Sequence, residues 1–401
     1  MWLSLFRHEL RLTVRNRKNI ILLLFLTVFL CMYVFILLPN EKTSETLPYE
    51  EISHELKVLK QVQEKREERR ATGVSPMSHR NYYADSKFYI DLFEAMIHAI
   101  DKGDFKRYAF LRAHYHYGVK KDYIEKDELL PDSPFPVKDL LHSTEKHLLT
   151  YQYLLQSSIP ITYEVIEEKT ALQVVSKHFH NFAPYILVFL AIYFSNDILT
   201  RDRRQKTVLK GLPISWYQYL NIKSLASYFY VSVVTIFLVL MTVICISILN
   251  GFGSFDMKLP ALGERIDNVN YGYILIPIGK YMLFGFAFLF LFYFIFVRLT
   301  LMLSLIFKNE WVILILTTLI LFTEKFYYAR DKRELFGKDV SFFPQTYLDI
   351  GKVITGEKNY LLNIDTVSYN KGLIILLLCW LLVEILLYVV SKFANRRWFY
   401  Q

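Results

Sequence analysis

Cysteine is scarce in this chain. There are three in 401 residues, Cys31, Cys245 and Cys379, and each lies inside an apolar run. A disulfide-stapled secreted fold is therefore excluded, and the three thiols read as packing residues out of reach of oxidants. Glycine and proline are few as well, 14 and 12, which rules out collagenous and linker-like classes. Charged residues make up only 21% against 53% apolar, so the chain is neither disordered nor built like an ordinary soluble domain. Catalytic signatures are missing too. There is no Gly-x-Ser-x-Gly, no His-Glu-x-x-His and no cysteine pair at metal-ligand spacing, so an embedded hydrolase has no visible nucleophile or metal site. The nearest approach to a phosphate-binding loop, residues 351–358, carries Glu357 where the motif needs a lysine. It is a chance match, and any energy source has to come from another chain or from a gradient.

What the chain does have is long apolar runs, and a helix needs about 20 such residues to cross a bilayer. Residues 20–38 and 225–249 contain no charge, 372–390 carry only Glu384, and 273–297 only Lys280. Two shorter runs, 182–194 and 311–322, bring the expected spans to six. The fold class expected is an all-α polytopic membrane protein with an N-terminal interfacial helix (1–19), a first span (20–38), a mostly helical insert (39–180) and a five-helix bundle (181–401). The first run has no small-residue cleavage site and is long enough to span, so it is expected to remain as an anchor.

Orientation follows from lysine and arginine near the span ends. With the N-terminus in the cytoplasm, the inner segments hold Arg7, Arg11, Arg15, Arg201, Arg203, Arg204, Arg396 and Arg397 among others and carry the whole positive excess, while the outer segments are near balance. The net charge of +9 is then a positive-inside signature, and nucleic-acid binding needs no appeal. On a helical wheel Leu3, Phe6, Leu10 and Val14 form a stripe with Trp2 beside it, next to a basic stripe of Arg7, Arg11, Arg15 and Lys18. Such a helix lies at the inner interface and touches lipid headgroups.

In the insert, Ile52, Leu56, Leu59 and Val62 recur at helical spacing, and 88–100, 105–117 and 137–155 do likewise. The insert is read as an extracytoplasmic helical domain. Nine of the ten histidines fall in it, with His114 and His116, and His178 and His180, as His-x-His pairs. Residues two apart point away from each other on a helix, so these read first as solvated or capping histidines and only second as metal or pH-sensing groups. Two ionisable residues inside spans are candidate pathway residues. Lys280, about 9 Å from the outer end of its span, either snorkels outward or lines a path. Glu384, about 18 Å deep, faces the bundle, as a structural hydrogen-bond partner or as part of the pathway.

The loop 200–224 carries Leu209, Gly211, Leu212, Pro213, Ile214, Ser215, Trp216 and Tyr219. Pro213 and Ser215 suit a helix start, and apolar groups on a short cytoplasmic helix suggest a protein partner. Here the sequence resembles the permease subunits of type-2 ATP-binding-cassette (ABC) transporters, in which an interfacial helix precedes span one. In that family a Leu-x-x-Leu-Pro-Ile-Ser type segment between spans two and three forms the coupling helix that docks on the ATPase. Asp197 stands where the family often has an acidic residue near the inner end of span two, but Lys206-Thr207 replaces the Gly-Thr pair that follows it.

The resemblance implies a non-catalytic subunit of an exporter in a bacterial cell membrane, multi-pass, with both termini cytoplasmic. It implies a dimeric bundle with a second copy or a paralogue, contact with membrane lipids, a coupling helix at 213–221 and short re-entrant helices within 323–371. The chain itself needs no cofactor; ATP and Mg come through a cytosolic ATPase. Hydrophobic or membrane-active peptides, bacteriocins and toxins are favoured as cargo over lipids, drugs and sodium. Two other classes stay open: a gradient-driven transporter using Lys280 and Glu384, which would show an inverted repeat, and a membrane receptor with a helical outer sensor.

Overall fold

The computed structural model describes residues 2–41, 49–75, 81–123, 134–202, 214–265, 271–307, 309–330 and 332–394. The chain opens with α1 (Trp2–Val14) and, after an elbow at Arg15 and Asn16, α2 (Arg17–Asn40). Asn16 caps α2 by accepting from the Lys18 N–H at 3.2 Å, and Tyr33–Leu37 form a π-helical turn within it. The insert supplies α3 (Tyr49–Glu68), α4 (Tyr82–Asp101), α5 (Phe105–Tyr123) and α6 (Pro136–Gln156). The bundle follows with α7 (Ala171–His180), α8 (Ala183–Ser195) and α9 (Trp216–Asn250). A hairpin of β1 (Lys258–Arg265) and β2 (Tyr271–Pro277) then leads into α10 (Ile278–Ile306) and α11 (Glu310–Tyr327). The short helices α12 (Ile350–Ile354) and α13 (Glu357–Leu362) precede α14 (Tyr369–Phe393).

Among the described residues four helices, α2, α9, α10 and α14, are long and apolar enough to cross a bilayer, and they overlap four of the six expected spans. The other two expected spans correspond to α8, 13 residues or about 20 Å, and α11, 18 residues or about 27 Å. Helix α10 is the pole of the bundle. It is apolar on every side, and its side chains are buried against α8, α9, α11 and α14. Helix α2 is its opposite, exposing Ile21, Leu24, Phe25 and Val28.

The fourth span begins later than hydropathy indicates. Residues 271–277 continue the apolar run, yet they pair antiparallel with β1, from Lys258 opposite Pro277 to Leu262 opposite Tyr273. Pro277 then caps α10. The hairpin departs from the all-helical expectation, and it moves Lys280 from six residues inside a span to the third residue of α10. There the side chain is exposed, its ammonium 5.5 Å from the Phe284 ring centre.

The insert helices share a core of Ile52, Leu92, Phe93, Met96 and Tyr108, with Ile166 closing it from below. A second cluster of Ala109, Ala113, Leu148 and Tyr151 joins α5 to α6, and His116 stacks on His147 at 5.1 Å between the same helices. Helix α6 carries the contacts to the apical end of the bundle. Arg330 clasps Asp139 through both terminal nitrogens, at 2.7 and 3.2 Å. His142 stacks on Tyr360 at 3.9 Å and bonds the Tyr273 hydroxyl at 2.7 Å. Glu357 takes both Lys146, at 2.9 Å, and His180, at 3.1 Å. Burial holds His142 well below the usual histidine range, at about 4, with the neighbouring Lys146 adding to the shift.

The segment after α11 is fixed by buried charge. Lys358, fully enclosed, bonds Glu324 of α11 and Asp349, and the Tyr185 hydroxyl of α8 donates to the other Glu324 oxygen at 2.8 Å. The nearby Gly351, in the chance phosphate-loop match, has a packing role instead. A Cβ there would run into His180 Cα and the Tyr281 hydroxyl. Gly351→Ala is therefore expected to cost about 1–3 kcal/mol by overpacking, read as a lower thermal midpoint of the purified chain. Gly73→Ala, with nothing within 4 Å, is the control and should leave the midpoint in place.

Candidate coupling site at the basal end of the bundle

Lys223 lies two residues before the apolar run of α9, where lipid offers an ammonium no partner. The fold buries it completely and supplies two carboxylates. Its Nζ is 2.8 Å from Glu9 Oε2 on α1 and 2.8 Å from Asp202 Oδ1 in the turn after α8. Tyr219, one helical turn earlier, donates to Asp202 Oδ2 at 2.7 Å, and Arg201 Nη2 stands 3.6 Å from the Glu9 oxygen. Burial pushes the Asp202 carboxyl upward while the Lys223 ammonium opposes the shift. Three separate elements thus meet on one cation.

A second clasp lies beside it. Asn16 Nδ2 donates to Asp197 Oδ2 at 2.7 Å, and Lys18 Nζ donates to the Tyr193 carbonyl at 3.0 Å and to the Asn196 side chain. The elbow between α1 and α2 therefore grips the end of α8, where the chain turns toward 203–213.

Leu209, Gly211, Leu212 and Pro213 lie outside the described residues. The rest of the expected segment is placed differently from a free coupling helix at 213–221. Ser215 and Gln218 form a capping box, at 3.3 and 3.4 Å, so Trp216 begins α9 itself and the helix runs unbroken for 35 residues, about 52 Å. Trp216 turns inward: its Nε1 donates to the Ala394 carbonyl at 3.0 Å, and its ring stacks on Tyr219 at 5.7 Å. Tyr219 is buried on Asp202. Ile214 is half-buried and Ser215 exposed.

On α1, Trp2 stacks on Phe6 at 6.0 Å, Phe6 meets Phe229 of α9 edge-on at 6.1 Å, and Arg7, Arg11 and Arg15 are exposed. The face turned to the bundle takes Phe6 and Leu10 of the apolar stripe together with polar residues. Its buried residues are Glu9 and Thr13, while Leu3 and Val14 are exposed. The buried ammonium of Lys223 sets this rotation, because a carboxylate has to face it.

A family model described as ABC-2 family transporter protein matches residues 3–328. The chain belongs to the ABC-2 transporter family. No curated protein and no solved structure matches it. ABC-2 permeases are transmembrane subunits, as a family non-catalytic, and they work with an ABC ATPase. The matched stretch of this ABC-2 permease contains α1, the turn after α8 and the base of α9, so the Glu9–Lys223–Asp202 centre lies within it.

The two candidate pathway residues are not brought together in this ABC-2 permease. Lys280 lies at the apical end of α10, whereas Glu384 accepts from the Tyr217 hydroxyl and pairs with Arg298 Nε at 3.3 Å, about 27 Å further along α10. Arg298 Nη1 also donates to Asn221 Oδ1 at 2.6 Å. Glu384→Gln is expected to cost about 1–2 kcal/mol, since Arg298 keeps a buried charge but Glu384 is partly exposed. The double variant Glu384→Gln with Arg298→Gln should recover most of the loss in thermal midpoint. No recovery would sink the pairing.

Sequence reasoning missed Glu9, Lys223 and Asp202 as a set. The available signal was a lone lysine next to an uncharged 25-residue run, together with an acidic residue on the side of α1 opposite its basic stripe.

Proposed function

We propose that this permease is the membrane half of an exporter, with α8 and α11 completing six spans, the basal end in the cytoplasm and the insert outside. Two copies, or one copy and a paralogue, form the translocation path, and a separate cytosolic ATPase supplies the energy of ATP with Mg. The segment 203–215 is the coupling element. The observation that carries this reading is the Lys223 centre, which ties α1, the turn at Asp202 just before that segment and the base of α9 to one point. A push on 203–215 would then tilt a rod longer than the bilayer core is thick. Hydrophobic or membrane-active peptides are the favoured cargo. A cavity of about 180 Å³ between α6, α7 and β1, walled by Leu154, Val165, Met257 and Leu259 with Lys258 among its lining residues, suits an apolar segment with an anionic end.

The test uses Ile214→Asp, because Trp216 is committed to packing and would confuse docking with folding. A charge in a desolvated contact costs on the order of 2 kcal/mol, about thirtyfold in affinity. The variant should insert normally, lose co-purification with the ATPase and lose export of a peptide toxin. Retention of both removes Ile214 from the coupling surface. A wild-type chain that binds no ATPase at all ends the exporter reading and leaves the receptor or gradient-driven one.

A further inference from the structure

An apolar groove of about 340 Å³ runs between α2 and the bundle, a volume typical of small-molecule sites, and none of the basal contacts uses it. Leu26, Phe29 and Leu30 of α2 form one wall, and Ile186, Leu187 and Leu238 of α8 and α9 form the other. Helix α2 is held at both ends. At the base the elbow grips α8, and at the top Val34 and Leu38 pack on Ala171, Val174 and Ile246. Between these anchors only one edge of the helix packs on the bundle, through Leu22, Leu23, Leu26 and Leu30, and the groove opens along that seam; 6% of the apolar window of α2 is buried, against 61% for α10.

A gap of this kind inside hydrocarbon does not stay empty. Its walls would forfeit dispersion contacts, and water would find no polar partners along them. From Leu26 to Tyr33 the groove rises about 10 Å, a third of the ~30 Å hydrocarbon core, which confines it to one leaflet. Its apical head is polar. His178 Nε2 and the Tyr33 hydroxyl are 2.7 Å apart, Tyr33 donates to Glu41 Oε2 at 2.8 Å, and Lys177 Nζ is 2.7 Å from Glu41 Oε1. Lys177 and Glu41 remain 30% and 29% exposed, a cation beside an anion with no net charge. The π turn begins at Tyr33, and such turns recur at functional sites.

We propose that the groove binds one acyl chain of a zwitterionic phospholipid from the apical leaflet, with the phosphate at Lys177 and the ammonium at Glu41, filling the seam between α2 and the bundle. The test reconstitutes the full chain in nanodiscs containing phosphatidylethanolamine with a diazirine in its acyl chain, irradiates, and maps adducts by mass spectrometry. Adducts are expected to concentrate on 26–33 and 183–190. Leu30→Trp fills the groove and should lower them about tenfold, the occupancy change for losing the burial of about two methylene groups. Adducts at Ile236 and Leu381, on open apolar surface, should not change. Leu30→Ala, which widens the groove, should keep or raise the labelling, so a loss there as well marks misfolding and Leu187→Phe then replaces Leu30→Trp as the filling variant. Labelling spread evenly over α2, α9 and α14 and indifferent to the filling variant means annular lipid only, and overturns the site. Cross-linked pairs of chains with no groove adduct would give the groove to a second copy instead. Equal groove labelling by a phosphatidylglycerol probe would overturn the headgroup assignment.

Discussion

Lys223→Met is expected to abolish transport and to lower stability by about 3–5 kcal/mol, the cost of breaking a buried ion pair from one side. Methionine fills the space but leaves the Glu9 and Asp202 carboxylates facing each other with only the partly exposed Arg201 beside Glu9. That loss approaches the whole stability of many folds, so purified material should be scarce and its thermal midpoint low. Two further variants separate packing from coupling. In the triple variant Lys223→Met, Glu9→Gln, Asp202→Asn the buried charges are gone and the side-chain amides can hydrogen-bond each other and Tyr219, so most of the stability should return. If the centre also transmits force, the triple variant will fold, bind the ATPase and still fail to couple nucleotide hydrolysis to export. Restored export would reduce the centre to a packing device. An unchanged midpoint in Lys223→Met would contradict the burial itself.

The helices were legible because the bilayer imposes a length and a composition on each span, and residues 20–38, 225–249 and 372–390 satisfy both without ambiguity. The hairpin was hidden by the same rule. Ile274, Leu275 and Ile276 continue the hydropathy of α10, so an apolar count runs straight through the strand, and only Pro277 signals the change. The basal centre was hidden for another reason. Glu9 and Lys223 are 214 residues apart, and Glu9 and Asp202 enter a charge tally only as acids that dilute a basic end. The wheel of α1 sorted apolar from basic residues and set Glu9 in neither stripe, so it gave no sign that a carboxylate of this helix is buried against an ammonium. Trp216 illustrates the limit of a motif. Next to Leu-Pro-Ile-Ser it read as a docking side chain, yet its indole N–H is committed to the Ala394 carbonyl at the far end of the chain.

At the apical end Lys358→Met is expected to cost a similar 3–5 kcal/mol, with an opposite response to acid. In the wild type Lys358 and Lys325 hold the Asp349 carboxyl at about 2 against the burial that would raise it. A carboxyl depressed from its ordinary value near 3.8 stabilises the fold fully above that value and loses the contribution as pH falls toward 2, on the order of 2 kcal/mol. The wild-type midpoint should therefore drop over that window. Without the Lys358 ammonium, Asp349 keeps only the partly exposed Lys325 and stands beside Glu324 in a buried site, so it takes up a proton at higher pH. Lys358→Met should then be weakest near neutral pH and recover part of its deficit as the pH is lowered toward 4, where the wild type is still unaffected. Parallel midpoint-against-pH curves for the two proteins would show that Lys358 does not set the charge state of Asp349. Converging curves would place the anchor of the 339–362 segment, and through Tyr185 and Glu324 the packing of α8 on α11, on this one buried ammonium.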